Sequence, residues 1–190
     1  MAGGNNRRFA GTPVVFIACL AACVLTRAAI GQSPGVALKV GSSSFREGQP
    51  IPIEYTCAGA DISPPLHWSA GPAGTKTFAL ICDDPDAPSG TWCHWVLYNL
   101  PTATTDLPEK TPTTATLAGD ARQGTNDFKR TGYSGPCPPP GKPHRYFFKI
   151  YALDTTLALK PGATRQELLR AIAGHVIAKG DTVGIFQRKN

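Results

Sequence analysis

Charged side chains are scarce in this chain, 17% of its 190 residues, whereas glycine and proline number 20 and 18. That balance argues against coiled coil and long exposed helices and for many turns between short elements. Disorder is also excluded, because hydrophobic residues make up 42% of the chain. No CxxC pair is present, which removes the usual structural zinc site, and no His-x-x-x-His pair marks a helical metal site. Gly132-Tyr133-Ser134-Gly135 lacks the Gly-x-Ser-x-Gly of a nucleophile elbow and precedes a proline instead of opening a helix. At this length one domain with a proper core is the natural organisation.

A basic run is missing too. The formal charge is +6, but Arg7, Arg8 and Arg27 all precede residue 31, where no acid offsets them, so the remainder carries +3. Its lysines and arginines are scattered among acids, and with neither a basic stripe nor a recognition motif, nucleic-acid binding is not expected.

Residues 1–31 read as a signal peptide: Arg7-Arg8, an apolar run from Val14 to Leu25, then small residues up to Gly31. The run falls short of the ~20 residues a spanning helix needs, so a signal is preferred to a permanent anchor. Two processing routes compete. Ala29-Ile30-Gly31 has the spacing of a signal peptidase site, while Leu20-Ala21-Ala22-Cys23 is similar to a lipobox that would leave a lipid anchor on Cys23. Val24 and Leu25 prolong the apolar run beyond Cys23, which favours cleavage near Gly31. A single domain over residues 32–190, exported to a periplasm or secreted, is the expectation.

Export makes disulfides favourable, and the exported part holds Cys57, Cys82, Cys93 and Cys137. Three connectivities are open. Cys57 and Cys137 sit in Gly/Pro-rich loops where a staple is most useful, whereas Cys82 and Cys93 lie in apolar strand-like runs that also suit buried thiols.

Along the chain, Val36, Leu38 and Val40 alternate as in a half-buried strand, and Ile51 to Tyr55 reads as an irregular or edge strand because of Pro50 and Pro52. Further strands are expected at Leu66 to Ser69, Thr77 to Cys82, Cys93 to Leu100, Arg145 to Leu153 and Thr182 to Gln187. Pro101 to Lys142 has no clear periodicity and is long for a structureless loop. The single helix is expected over residues 164–179: Thr164 and Glu167 form a capping box, Leu168, Leu169, Ile172, Val176 and Ile177 recur at helical spacing, and Gly180 is the C-cap. Strands first and a helix late predict a mainly antiparallel β domain.

Chemistry concentrates around Asp83-Asp84-Pro85-Asp86, three acids in four positions at a strand end. Partial burial of such a cluster calls for donors, a cation or a metal. His94 follows in the next strand, positioned to face Asp84 or Asp86 across a hairpin-like return. His144 and Tyr146 share one face of the later strand, with Arg145 on the other.

Asp84-Pro85-Asp86-Ala87-Pro88, Trp92 with His94, Gly135-Pro136 and His144-Arg145-Tyr146 resemble, in order and spacing, both signature motifs of the phosphatidylethanolamine-binding protein family. Tyr55-Thr56-Cys57, Ser63-Pro64-Pro65-Leu66 and Tyr151-Ala152-Leu153-Asp154 narrow the likeness to its bacterial and archaeal, Raf-kinase-inhibitor-like branch. The resemblance covers residue 38 to the end. It implies an antiparallel β-sandwich with an anion pocket at one end, lined by the positions of Asp84, Asp86, His94, Gly135, His144 and Tyr146. Phosphate or a phospholipid headgroup would fill it, with protonated imidazole and tyrosine hydroxyl as donors and the aspartates orienting His94 or meeting a cationic head. No cofactor is implied. A kinase or protease partner and a homodimer are further expectations from the family.

Two departures stand out. Cys93 replaces a first histidine of the animal relatives, and their C-terminal helix over the pocket has no counterpart before Asn190, so a more open pocket is expected. The competing function is a metal-dependent or acid/base hydrolase using His94, His144 and Asp84 or Asp86. His67 and His175 lie outside this pattern, with His175 placed on the helix.

Overall fold

The structure, a computed structural model, describes residue 1, residues 3–4 and residues 36–189. The signal segment expected over residues 1–31, including Cys23 and both processing routes, otherwise lies outside the described residues. Among the described residues no helix is long and apolar enough to cross a membrane.

From residue 36 the strands are β1 (Val36–Ala37), β2 (Val40–Gly41), β3 (Gln49–Pro50), β4 (Leu66–Trp68), β5 (Thr77–Asp84), β6 (Trp92–Pro101), β7 (Asp106–Leu107), β8 (Arg122–Thr125), β9 (His144–Leu153), β10 (Gly162–Thr164) and β11 (Val176–Phe186). The helix α1 (Arg165–Ile172) lies between the last two. Eight strands build one sheet in the order β1-β11-β9-β5-β6-β8-β10, with β3 also paired to β11, and β2-β4-β7 form a second, small sheet.

The long pairings β5·β6, β5·β9 and β9·β11 are all antiparallel. Parallel pairing is confined to short edge contacts of β1 and β3 with β11 and of β10 with β8.

Both faces of the large sheet are covered, which explains why β5 reads as an unbroken apolar run: all of its side chains are buried. On one face Phe78, Leu80, Trp95, Leu97, Phe148 and Ile150 pack against Leu66, Trp68 and Leu107 of the small sheet. On the other, Ala79, Ile81, Val96 and Tyr98 meet Leu157 and, from α1, Leu168 and Ile172. Burial of each large apolar side chain here contributes about 1.5–3 kcal/mol.

The helix is shorter than its sequence pattern predicts. Its capping box is present, with Glu167 N–H donating to Thr164 Oγ1 at 3.3 Å and Thr164 N–H to Glu167 Oε2 at 2.7 Å. It stops at Ile172 because Gly174 turns into the left-handed region (φ 82°), and Val176 onward pairs with β9 instead. Val176 and Ile177 are therefore strand residues, and His175 is in the turn, donating from Nδ1 to Asp154 Oδ1 at 2.8 Å. Gly180 is no C-cap. It sits inside β11 where a Cβ would lie 2.0 Å from the Leu38 carbonyl oxygen, so only glycine lets the segment just after β1 approach β11.

Elsewhere the segment Ile51 to Tyr55 is not a strand: pairing ends at Pro50 and a 3₁₀ turn spans Ile53–Tyr55. The stretch from Pro101 to Lys142 carries β7, a 3₁₀ turn at Ala118–Asp120 and β8.

Candidate functional site

The C-terminal end of β5 and the N-terminal ends of β6 and β9 converge at one end of the large sheet. Strict alternation along β6 would not bring His94 there. Cys82 pairs with Trp95 but Asp83 pairs with Cys93, so His94 is an extra residue in a β-bulge. Trp95 belongs to the core between the sheets and Cys93 to the core under α1, which leaves His94 on the same side as Trp95. The bulge re-aims the imidazole toward β9, where its ring meets Tyr146 edge to face, centroids 5.2 Å apart.

A cavity of about 220 Å³ opens there, lined by Asp84, Trp92, His94, Phe128 and His144, and walled on one side by Cys137, Pro138 and Pro139. Phe128 packs its ring edge to face with both Trp92 and His94, at 5.4 and 5.2 Å. The disulfide between Cys57 and Cys137 ties the proline-rich wall to the loop after the Ile53–Tyr55 turn, while Cys82 and Cys93 are buried free thiols. Burial pushes the Cys93 thiol up to about 12, and its position beneath α1 puts it outside the cavity.

Both cavity histidines are held by the same ring nitrogen. His94 Nδ1 lies 2.7 Å from the Ser134 carbonyl oxygen, which can only accept, so Nδ1 carries the proton. His144 Nδ1 lies 2.8 Å from Asp84 Oδ2 in an almost fully buried pair. Among the described residues neither Nε2 has a hydrogen-bond partner. Burial lowers the pKa of His94, offset only in part by the Ser134 carbonyl and Asp84. That shift works against the protonated imidazole that the family resemblance implies. Trp92 Nε1–H is buried without a hydrogen-bond partner, and the Tyr146 hydroxyl is buried behind the cavity lining beside the Asp84 carboxylate. Burial, then the neighbouring Asp84 carboxylate, raise the Tyr146 pKa and keep the phenol protonated.

The aspartates do not divide their work as the sequence suggests. Asp84 orients His144, not His94. Asp86 turns outward, accepting from Arg145 N at 3.0 Å, Nε at 2.9 Å and Nη2 at 2.7 Å, and Arg145 holds its carboxyl down to about 2. Gly135 serves the wall: its N–H donates to Asp61 Oδ1 at 2.6 Å, and a Cβ there would lie 2.4 Å from the Tyr55 carbonyl oxygen. Asp83 points to the opposite face, where Lys149 Nζ and Arg165 Nε each donate to it at 2.8 Å. Strand alternation foretells that separation of Asp83 from Asp84; the roles of Phe128 and the Ser134 carbonyl carry no sequence signal. Among the described residues no group of three or more His, Cys, Asp and Glu side chains is arranged to hold a metal ion.

A two-sheet β-sandwich bearing a histidine–carboxylate cavity at its strand ends defines the class. The family model described as phosphatidylethanolamine-binding protein matches residues 41–187, and the chain belongs to that family. It is 47% identical over 151 residues to a UPF0098 protein of Methanothermobacter thermautotrophicus, covering 80% of this chain and 99% of the relative. A UPF0098 protein of Aquifex aeolicus is 47% identical over 156 residues, covering 81% and 91%. Among solved structures, a phosphatidylethanolamine-binding protein homologue from Chlamydia trachomatis superposes with TM-score 0.73 at 39% identity, covering 80% of this chain and 99% of that one. YbcL of Escherichia coli superposes with TM-score 0.72 at 33% identity, covering 81% and 100%.

Proposed function

We propose that this protein is an exported, non-catalytic binding protein whose cavity takes a small phosphate-type anion, free or as the headgroup of a larger molecule. The observation that carries this is the pair of cavity imidazoles anchored through Nδ1, which leaves both Nε2 atoms without a protein partner among the described residues, beside the unpartnered Trp92 N–H. Protonation of a ring on binding turns its Nε2 into a donor, which suits an oxyanion in a small cavity, and the anchored Nδ1 atoms mean little reorganisation. Among the described residues one carboxylate, Asp84, lines the cavity, and its charge is directed at His144. The family's name is consistent with such a ligand, and the leader read over residues 1–31 supports export.

The metal-dependent form of the hydrolase alternative has less support, since among the described residues no group of three or more His, Cys, Asp and Glu side chains is arranged to hold a metal ion. Calorimetric titration with inorganic phosphate, phosphorylethanolamine and zinc tests the proposal, with His144→Ala as control. Saturable phosphate or phosphorylethanolamine binding that the variant loses supports it. Stoichiometric zinc without anion binding would replace it with a metal site.

A further inference from the structure

We propose that the Cys57–Cys137 disulfide is a thiol-exchange site through which a partner dithiol loosens the wall of the cavity, with Cys57 the sulfur attacked and Cys137 the one released. Cys57 is exposed on the loop after the Ile53–Tyr55 turn, whereas Cys137 is half-buried and lines the cavity beside Pro138 and Pro139. Arg188, just beyond β11, brings Nη1 to 3.8 Å from Cys137 Sγ, so a guanidinium stands where thiolate charge develops on the released sulfur. The disulfide is also what ties the wall down. On one side of it Cys57 N–H donates to the Pro136 carbonyl at 3.1 Å. On the other, Gly141 N–H donates to the Arg188 carbonyl at 3.4 Å and the Gly141 carbonyl accepts from Gln187 Nε2 at 2.6 Å. Between these anchors, among the described residues, Cys137 to Pro140 makes no backbone hydrogen bond, and the three prolines have no N–H to give.

The exchange runs as two displacements. A thiolate of the partner attacks Cys57 Sγ, a mixed disulfide forms as the Cys57–Cys137 bond breaks, and Cys137 leaves as the thiolate beside Arg188. The partner's second thiol loses its proton and displaces Cys57 from the mixed disulfide. Two electrons and two protons thus pass from the dithiol to the two cysteines, which are reduced, and the partner is oxidised to its own disulfide. The partner is defined by this chemistry: a protein dithiol whose attacking cysteine is exposed and ionised at neutral pH. Cys82 and Cys93 take no part, since one is buried between the sheets and the other under α1. Once Cys137 is free, the proline-rich wall hangs on its two outer anchors alone, which then open more often. A weaker hold on the ligand in the reduced state rests on the anion-pocket reading; the exchange and the loosening of the wall do not.

The test treats the folded chain, without denaturant, with reduced glutathione and with graded dithiothreitol buffers. Peptide mass spectrometry should find the glutathione adduct on Cys57 with Cys137 a free thiol, and Cys82 and Cys93 unmodified. Arg188→Ala should lower the equilibrium constant for reduction by dithiothreitol about threefold, or about 14 mV on the two-electron scale of about 30 mV per tenfold, and Arg188→Lys should restore it. In the reduced chain the amides of Cys57 and Gly141 should exchange hydrogen faster while those of β5 do not change, and phosphorylethanolamine should bind several-fold more weakly. An adduct on Cys137, a disulfide that dithiothreitol reaches only in urea, an unchanged constant in Arg188→Ala or flanking amides unmoved by reduction would each overturn the proposal, as would equal phosphorylethanolamine affinity in the two states. If neither state binds phosphorylethanolamine, the anion-pocket reading falls, and the site of the adduct and the two amides still decide this proposal.

Discussion

Asp84 accepts a hydrogen bond from His144 Nδ1 at 2.8 Å, across two strands and almost out of reach of water. The pair joins the fold to the site: β5 and β9 are core strands whose last and first residues supply the two partners. Replacing Asp84 by alanine leaves the buried Nδ1–H unpaired, at a cost of about 1–3 kcal/mol. Asp84→Asn keeps an acceptor in place and should cost less than half as much. Urea unfolding of the two variants against the parent checks the order.

On the opposite face of the sheet, the buried Asp83 carboxylate is shared between Lys149 and Arg165. Each single substitution, Lys149→Met or Arg165→Met, leaves one cation, whereas the double variant leaves an uncompensated buried charge, worth about 3–5 kcal/mol. The two single losses should therefore sum to less than the double loss in a mutant cycle. Anion binding, on the other side of the sheet, should be unchanged.

His94 sets a pH dependence of stability. Its folded pKa is lowered by burial, so the unfolded chain binds the proton more readily. The contribution is fully present above the unfolded value of about 6.5 and is lost as pH falls through it toward the folded value. Thermal midpoints should decline from pH 7 to pH 5, and the decline should be shallower in His94→Gln, which has no imidazole to protonate.

The Cys57–Cys137 disulfide closes a loop of 80 residues and fixes the proline-rich wall. Replacing both cysteines by serine should cost about 2–5 kcal/mol in stability and weaken anion binding several-fold, because Pro138 and Pro139 lose their anchor. Denaturation and calorimetry on the same double variant measure both effects.

Gly180→Ala forces a methyl group against the Leu38 carbonyl. The expected loss is about 1–3 kcal/mol, with faster hydrogen exchange at Leu38 N–H, which donates to the Lys179 carbonyl.

Much of this architecture is legible in the chain. The strands around Thr77, Cys93 and Arg145 announce themselves as apolar β-branched and aromatic runs, and Thr164 with Glu167 announces the helix start. The helix end is not legible, because Val176 and Ile177 satisfy both a 3.6-residue period and a strand, and only the ten-residue ladder with β9, a non-local contact, decides between them. Gly174 was the local cue. The site residues of the acidic turn and the His-Arg-Tyr motif were identifiable by type, but their pairing was not. Whether Asp84 meets His94 or His144 depends on a one-residue bulge in β6, and a bulge leaves no mark on the periodicity of a strand buried on both faces. The lowered pKa of His94 is likewise invisible in the sequence, since it follows from burial in the folded chain, opposed by a carbonyl forty residues away.

The central claim is that His94 and His144 present their Nε2 atoms to an anion. The chain has four histidines, and His67 and His175 lie outside the cavity. Long-range ¹H–¹⁵N spectra of the imidazoles during titration with phosphorylethanolamine test the claim most directly. The account predicts saturable shifts at Nε2 of His94 and His144, with His67 and His175 unmoved. Saturable binding that leaves both cavity imidazoles unperturbed, or no binding at any concentration, would contradict it.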